Sequence, residues 1–458
     1  MQFENLKKIN DRTYTFTLTP THVSYANTLR RLILTGVESV GFRADMTSTG
    51  TTTDVLVSAN TTPMTNEMLA HRIGLLPVHV REPLKWDPDR YTFKLKAAAD
   101  KSSIKDVFAG DFIVVDKKPA EGSAAAAIAE PVEVPASTFF PPHPVTKETC
   151  LIATFAAGSG QKVELTAKAT IGTGRENARF IPVSQCSYEY TRDTDPERRK
   201  EMFIKWLQEA KKVTYDAAEE ESEKIKALQR EFATMEIARC YLRDETGEPY
   251  SFDFTVESVG VLEVPYIVRR ACEVGESMVG RYVNIDKGDL PAELTIGPAD
   301  SRIIGFDFLF RGHDHTLGNL LQTWLVKKHV DGDASPHITF AGYKVPHPLR
   351  DEMVLRVGVE DGQEATARLA VAMACRGCVD MFREMRSSWE EANGGGAAAA
   401  MAAAASALKR KGAAGAAGAA DEAAAAAASA LKKSTAPRRI LRRAPEPSGG
   451  VSESKGSE

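Results

Sequence analysis

The same succession of elements occurs twice in this chain, and that repetition constrains its fold more than any single motif. In the first copy Tyr14, Phe16 and Leu18 alternate with threonines as a half-buried strand, and apolar spacing predicts a helix over about Thr21 to Gly36. In the second copy Ile304, Phe306, Phe308 and Phe310 alternate, and a helix is expected over about Asp314 to His329. Even the residues agree locally, Asn27-Thr28-Leu29 against His315-Thr316-Leu317. Each copy closes with a strand-like run, Phe252 to Val256 and Met353 to Val359. A long amphipathic helix then follows in each, over about Val264 to Val283 and about Glu364 to Trp389. The chain is therefore expected to be α+β and built from two related units. Residues 1–49 with 183–285 form the first, residues 302–392 the smaller second, and the Gly- and Pro-bearing stretch 286–301 reads as a linker.

Two insertions enlarge the first unit. Residues 50–182 read as a strand-rich subdomain that includes an Ala/Pro-rich loop from Pro119 to Pro144, while 195–230 is charged and helical. Asp195 and Pro196 suit the N-cap and first turn of that helix, and Met202, Phe203, Trp206, Leu207 and Ala210 trace its apolar stripe. After Asn393 aromatic residues vanish. Ten Lys/Arg against five Asp/Glu in 393–458 leave either a solvated disordered tail or a weak nucleic-acid or targeting arm.

The expected partners are read from the helices. Leu317, Leu320, Leu321, Trp324 and Leu325 make one continuous stripe. In the last helix Val371, Cys375, Cys378, Phe382, Met385 and Trp389 alternate spacings of four and three, as a seam for another helix does. Val268, Ala271, Gly275, Met278 and Tyr282 of the first unit offer a match. The two units are thus expected to pair about an intramolecular pseudo-two-fold axis, with Leu29, Ile33, Leu320, Trp324, Met278 and Phe382 on the pairing helices. Arg30 falls inside the apolar arc of the first helix, between Ala26, Val37 and Leu34. It requires either a buried ion-pair partner or a protein partner outside the fold.

Composition narrows the function classes. A net charge of −4 over 458 residues gives the whole chain no electrostatic footprint for wrapping nucleic acid. Six cysteines are too few for a disulfide scaffold. The start of the chain mixes charged and apolar residues, and no run of about 18 apolar residues follows, so a soluble, intracellular protein without membrane contact is expected. His313-Asp314-His315 is the one catalytic temptation, since His-x-His at a strand end can begin a metal-dependent hydrolase site. Without a second ligand cluster, helix capping explains the trio as well. Cys375-x-x-Cys378 lies on an apolar stripe and reads as buried thiols.

Four blocks then resemble a known family. Asn27-Thr28-Leu29-Arg30-Arg31-Leu32-Ile33-Leu34 is similar to the signature helix shared by the bacterial RNA polymerase α subunit, its archaeal D-type counterpart and the third-largest subunit of eukaryotic RNA polymerase II. The run from Asn66 to Pro77, with His71, Arg72, Gly74 and Pro77, resembles its H-R-x-G-L-x-P segment. Gly172 to Val183 resembles its returning turn, although Asn177, Arg179 and Phe180 stand where the family usually has His, Lys and Trp. Val256 to Gly260 precedes the closing helix as in the family. The second unit resembles the smaller archaeal partner, of L type, or the eleventh subunit of RNA polymerase II. The likeness runs through Asp314-His315-Thr316-Leu317-Gly318-Asn319 and through Phe340 to Pro348 with Tyr343, Pro346, His347 and Pro348.

The resemblance implies two α-like dimerisation units fused in one chain, acting as a non-catalytic assembly platform in transcription. It implies that Asn27, Arg30, Arg31, Arg175 and Arg179 contact the second-largest polymerase subunit and that the second unit faces the largest, with small polymerase subunits as further partners. No cofactor is expected, because the inserted subdomain has only Cys150 where many relatives carry a cysteine-rich metal loop, and no sequence-specific DNA binding is expected, because nothing here resembles the separate folded C-terminal domain with which the bacterial subunit binds promoter DNA. The fusion is similar to the arrangement in some large DNA viruses of eukaryotes. The expected location is nucleus or cytoplasm, with virion packaging for a viral chain.

Overall fold

The structure is a computed structural model and describes residues 1–45, 54–117, 131–215, 222–299 and 303–394. The chain opens with β1 (Gln2–Lys8), β2 (Thr13–Thr19), α1 (Val23–Thr35) and β3 (Glu38–Gly41). Next come β4 (Val55–Asn60), α2 (Asn66–Gly74), β5 (Tyr91–Ala98), β6 (Lys105–Phe108), β7 (Ile113–Asp116), β8 (Val132–Val134), β9 (Leu151–Phe155), β10 (Lys162–Ala167) and β11 (Thr170–Thr173). The first half ends with β12 (Val183–Tyr190), α3 (Pro196–Glu209), α4 (Glu223–Met235), β13 (Phe252–Ser258) and α5 (Val264–Gly280). The second comprises β14 (Leu294–Pro298), β15 (Gly305–Arg311), α6 (His315–Leu325), β16 (Phe340–Lys344), β17 (Glu352–Gly358) and α7 (Glu364–Ala392).

Two antiparallel four-stranded sheets carry the repeat. Their strand orders are β1-β2-β13-β12 and β14-β15-β17-β16. In each, the strand that leads into the first helix lies beside the strand that leads into the closing helix, with one edge strand on either side. This corrects the linker expectation for 286–301. Leu294–Pro298 forms an edge strand on β15, with Leu294 paired to Phe310 and Pro298 to Phe306. Gly297 and Pro298 are tolerated there because an outer strand keeps one row of backbone groups free of the ladder. The charged start of the chain is likewise an edge strand, β1, with Phe3 buried.

Helix ends follow local chemistry. His22 Nδ1 accepts from the Ser24 amide at 3.2 Å and caps α1, and Asp314 Oδ1 accepts from the Thr316 amide at 2.7 Å and caps α6. The regular α-helix of the second half stops at Leu325, and the run on to Val330 is a π-turn. Ile304 lies outside β15 and is 66% exposed, so the alternation that includes it overstates the strand.

One continuous core joins both halves. Leu29, Ile33, Leu320 and Phe382 are fully buried in it, and Met278 and Trp324 pack half-buried against it. Helix α1 packs on α5 and α6, and α7 packs on α5 and α6. Aromatic rings enter spaces left by glycines: a Cβ at Gly275 of α5 would lie 2.6 Å from the Phe382 ring of α7, and one at Gly377 would lie 2.2 Å from Trp324. Trp389, near the end of α7, packs edge-on against Phe3 and Phe16 at 5.1 Å and donates from Nε1 to Pro265 O at 3.0 Å.

A second core runs from Val40 to Ala169 and includes Phe42, Phe93, Phe112 and Phe155. Part of the Ala/Pro-rich stretch belongs to it, since Phe139 and Phe140 are buried there; residues 118–130 lie outside the described residues. Pairing of β3 with β11 ties this region to the first half, so the crossing occurs at Glu38 to Gly41 rather than near Gly50. The charged insertion forms a helical hairpin whose own small core, Phe203, Leu207, Ile225, Phe232 and Cys240, extends past residue 230. The tail from 395 onward lies outside the described residues.

Candidate protein-interaction site

The arginines expected at an outer interface do not share one environment. Arg30 lies half-buried on α1, and its Nε donates to Asn27 Oδ1 one turn back at 3.0 Å. Both residues line an open groove of about 670 Å³ with Cys186, Ser187, Tyr188, Glu189, Tyr190 and Arg192 of β12 and the loop after it, and with Ala238. Among the described residues Arg30 has no carboxylate partner. Burial pushes the Cys186 thiol up to about 12, with the nearby Arg30 charge acting in the opposite direction. The groove thus presents a fixed guanidinium and two tyrosines beside the outer strand of a sheet. That combination suits a protein partner.

Arg31, the next residue, points the other way. Its Nε donates to Thr316 Oγ1 at 2.8 Å and its terminal nitrogen to Asp314 Oδ2 at 3.2 Å, so it joins the first half to the cap of α6. Burial would raise the Asp314 carboxyl. The Thr316 hydrogen bonds and the Arg31 and Arg175 charges outweigh it, and the group lies below its ordinary range. Arg175 repeats the pattern by donating to Gly312 O at 2.9 Å and pairing with Asp351. Arg179 is 4% exposed and donates to Phe42 O at 2.9 Å and Asp45 Oδ1 at 3.0 Å. Of the five expected interface residues the structure therefore brings only Asn27 and Arg30 together in the groove. A helical wheel sets Arg31 and Asn27 to one side of Arg30, but it cannot show the acceptors of Arg31, which lie 283 and 285 residues away.

Several of the remaining motif residues have structural explanations. Gly74 makes room for Arg179, since a Cβ there would lie 2.9 Å from its Nη1. Arg72 donates to Ile152 O at 2.8 Å, and Pro77 follows α2 while His71 is exposed on it. In the second half Leu317 is buried, and Gly318 leaves space for the Tyr343 ring, 2.3 Å from a Cβ there. The Tyr343 hydroxyl lies 3.2 Å from His315 Nδ1. Asn319 is half-buried, and Pro346, His347 and Pro348 form an exposed turn in which His347 Nδ1 accepts from the Leu349 amide.

His313 does not aim at a reaction space. It is buried, and its Nε2 shares a 2.8 Å hydrogen bond with the Tyr282 hydroxyl. Burial, with the charges of Arg175 and Arg281, lowers its pKa below the ordinary value. Among the described residues no group of three or more His, Cys, Asp or Glu side chains could hold a metal ion, and no helix is long and apolar enough to cross a membrane. Cys375 and Cys378 are free thiols, fully buried in α7.

Parts of the chain are similar to known proteins. Residues 306–388 match the family model of the RNA polymerase Rpb3/Rpb11 dimerisation domain. DNA-directed RNA polymerase subunit Rpo3 of Methanopyrus kandleri is 24% identical over 284 residues, covering 57% of this chain and 87% of that protein. The chain is similar to the α-like subunits of RNA polymerase. Rpo3 of Methanothermobacter thermautotrophicus is 23% identical over 298 residues, 62% of this chain and 98% of that protein. A probable DNA-directed RNA polymerase II subunit RPB11 of Caenorhabditis briggsae is 38% identical over 66 residues, 14% of this chain, so the chain spans about half (48%) of that shorter relative. These relatives are RNA polymerase subunits, and they give the hydrolase alternative at His313 and His315 no support.

Proposed function

We propose that this chain is a non-catalytic assembly scaffold of a multisubunit DNA-directed RNA polymerase and that it supplies both members of the α-like pair in one polypeptide. The observation that carries the reading is the pair of sheets with one strand order, closed over a single core by α1, α5, α6 and α7. Joined to similarity with both Rpo3 and RPB11, it supports an intramolecular pseudo-two-fold pair. Fusion turns a bimolecular association into an intramolecular one, so the platform assembles at high effective concentration whatever the concentration of the chain.

The partners are the two large subunits, with small polymerase subunits around them. The second-largest docks at the groove of Asn27 and Arg30, and the largest faces the second half. Arg31, Arg175 and Arg179 act by holding the scaffold together, since each donates from terminal guanidinium nitrogens to acceptors within the chain. The polymerase acts inside the cell, in nucleus or cytoplasm. A viral origin finds no support in the nematode and archaeal relatives.

Arg30→Glu tests the groove. Placed in a co-expression pull-down with the two large subunits, it should reduce recovery of the second-largest while the chain keeps its melting temperature. Full recovery would remove the groove from the interface.

A further inference from the structure

A second cleft, outside every motif of the family, lies where the helical hairpin meets the body of the first half. It holds about 260 Å³ and is lined by Arg198, Arg199 and Lys205 of α3 and by Arg239, Tyr241 and Arg243 after α4, with Asp193, Glu201 and Tyr250 among the remainder. Five cations and two carboxylates line it, and beyond the lining Arg239 pairs with Glu236 at 2.9 Å, Arg198 with Asp195 at 3.3 Å and Lys205 with Glu209 at 3.9 Å. Asp193 is already engaged, because it accepts from Arg198 Nε at 2.7 Å and from the Asp195 amide at 2.9 Å. Arg199 uses one donor, to Asp193 O. The Arg243 guanidinium stacks over Tyr241 at 4.3 Å, and Tyr241 in turn packs on Tyr190 at 4.7 Å. A guanidinium has five N–H donors, so most of those in the cleft have no acceptor among the described residues.

We propose that this cleft is a docking site for an acidic segment of a protein partner, one that places a carboxylate among Arg199, Lys205 and Arg243 and an apolar side chain against Tyr241 and Met202. Size decides against a cofactor: the space falls below the roughly 300 Å³ at which small-molecule pockets begin. Charge decides against a nucleic-acid strand. Glu201 lines the cleft and Glu197, Glu209 and Glu236 lie on the elements that form it, where they would repel a continuous row of phosphates. Arginine and tyrosine gathered around a small cleft are the composition of a protein hot spot. The proposal does not depend on the scaffold reading.

The test is fluorescence anisotropy on the full chain at low salt. The probes are a labelled peptide of Asp and Glu with one Phe, its Asn/Gln counterpart, and single-stranded oligothymidylate. The acidic peptide should bind and its neutral counterpart should not. Arg243→Glu combined with Lys205→Glu, both at exposed positions, should weaken binding at least about tenfold, equivalent to about 1.4 kcal/mol, while Lys101→Glu, at an exposed position of the inserted region, leaves it unchanged. Circular dichroism checks folding of the double variant, and Arg243→Gln alone carries the test if that variant unfolds. No binding of the acidic peptide, undiminished binding by the folded variant, loss on Lys101→Glu, or a preference for oligothymidylate would each overturn the proposal.

Discussion

Gly275→Ala adds one methyl group to α5 where the helix meets α7, and its effect reports whether the two halves share a close-packed seam. In an unhindered helix interior this change stabilises by about 1 kcal/mol, because alanine loses less backbone entropy than glycine. Here the new Cβ would stand 2.6, 2.7 and 2.9 Å from three carbons of the Phe382 ring, which is fully buried. A ring held on all sides yields only by leaving its rotamer or by pushing the helices apart. Overpacking of that kind costs about 1–3 kcal/mol. The clash should outweigh the propensity gain, leaving a net loss of up to about 2 kcal/mol. Urea unfolding followed by tryptophan fluorescence would show it as a lower midpoint at unchanged slope. In a Phe382→Leu background the methyl has room, so the same change should turn stabilising, with a coupling of about 1–3 kcal/mol between the sites. Stabilisation by Gly275→Ala in both backgrounds would refute the seam.

Trp389→Ala should cost about 3–5 kcal/mol and release β1, because the indole packs on Phe3 and Phe16; hydrogen exchange at the amides of Gln2 to Lys8 would report the release. Arg31→Ala should lower stability by roughly 1 kcal/mol, discounted because the pair with Asp314 is about one-third exposed, while Arg30→Ala should stay within about 0.5 kcal/mol, as paired thermal melts would show. His22, His79 and His313 all have pKa values lowered chiefly by burial, so in each the folded value lies below the unfolded one. Their contribution is present above about pH 6.5 and lost as pH falls through the folded values, so the urea midpoint should drop between pH 7 and 5, less steeply in His313→Gln.

The repeated strand-and-helix order was legible because buried faces impose periods of 2 and 3.6 on the chain. The edge strands β1 and β14 were not, since each is open on one side and tolerates charge, glycine or proline. Helix caps at Asp195 and Asp314 could be read from local chemistry. The division of labour between Arg30 and Arg31 could not, because a wheel shows direction around one helix and says nothing of an aspartate 283 residues away. Gly275 reads as an ordinary seam position and Gly377 falls outside the seam pattern, and only the packed structure shows them as sockets for Phe382 and Trp324. The second cleft left no trace in the pattern, because its residues come from α3 and from the segment beyond α4.

Affinity purification of the tagged chain from its native source, followed by quantitative mass spectrometry, tests the scaffold reading most directly. The account predicts recovery of the two largest RNA polymerase subunits in one-to-one ratio with the chain and no separate RPB11-like subunit. Recovery of the chain alone, or with a separate RPB11-like partner in equal amount, would contradict it.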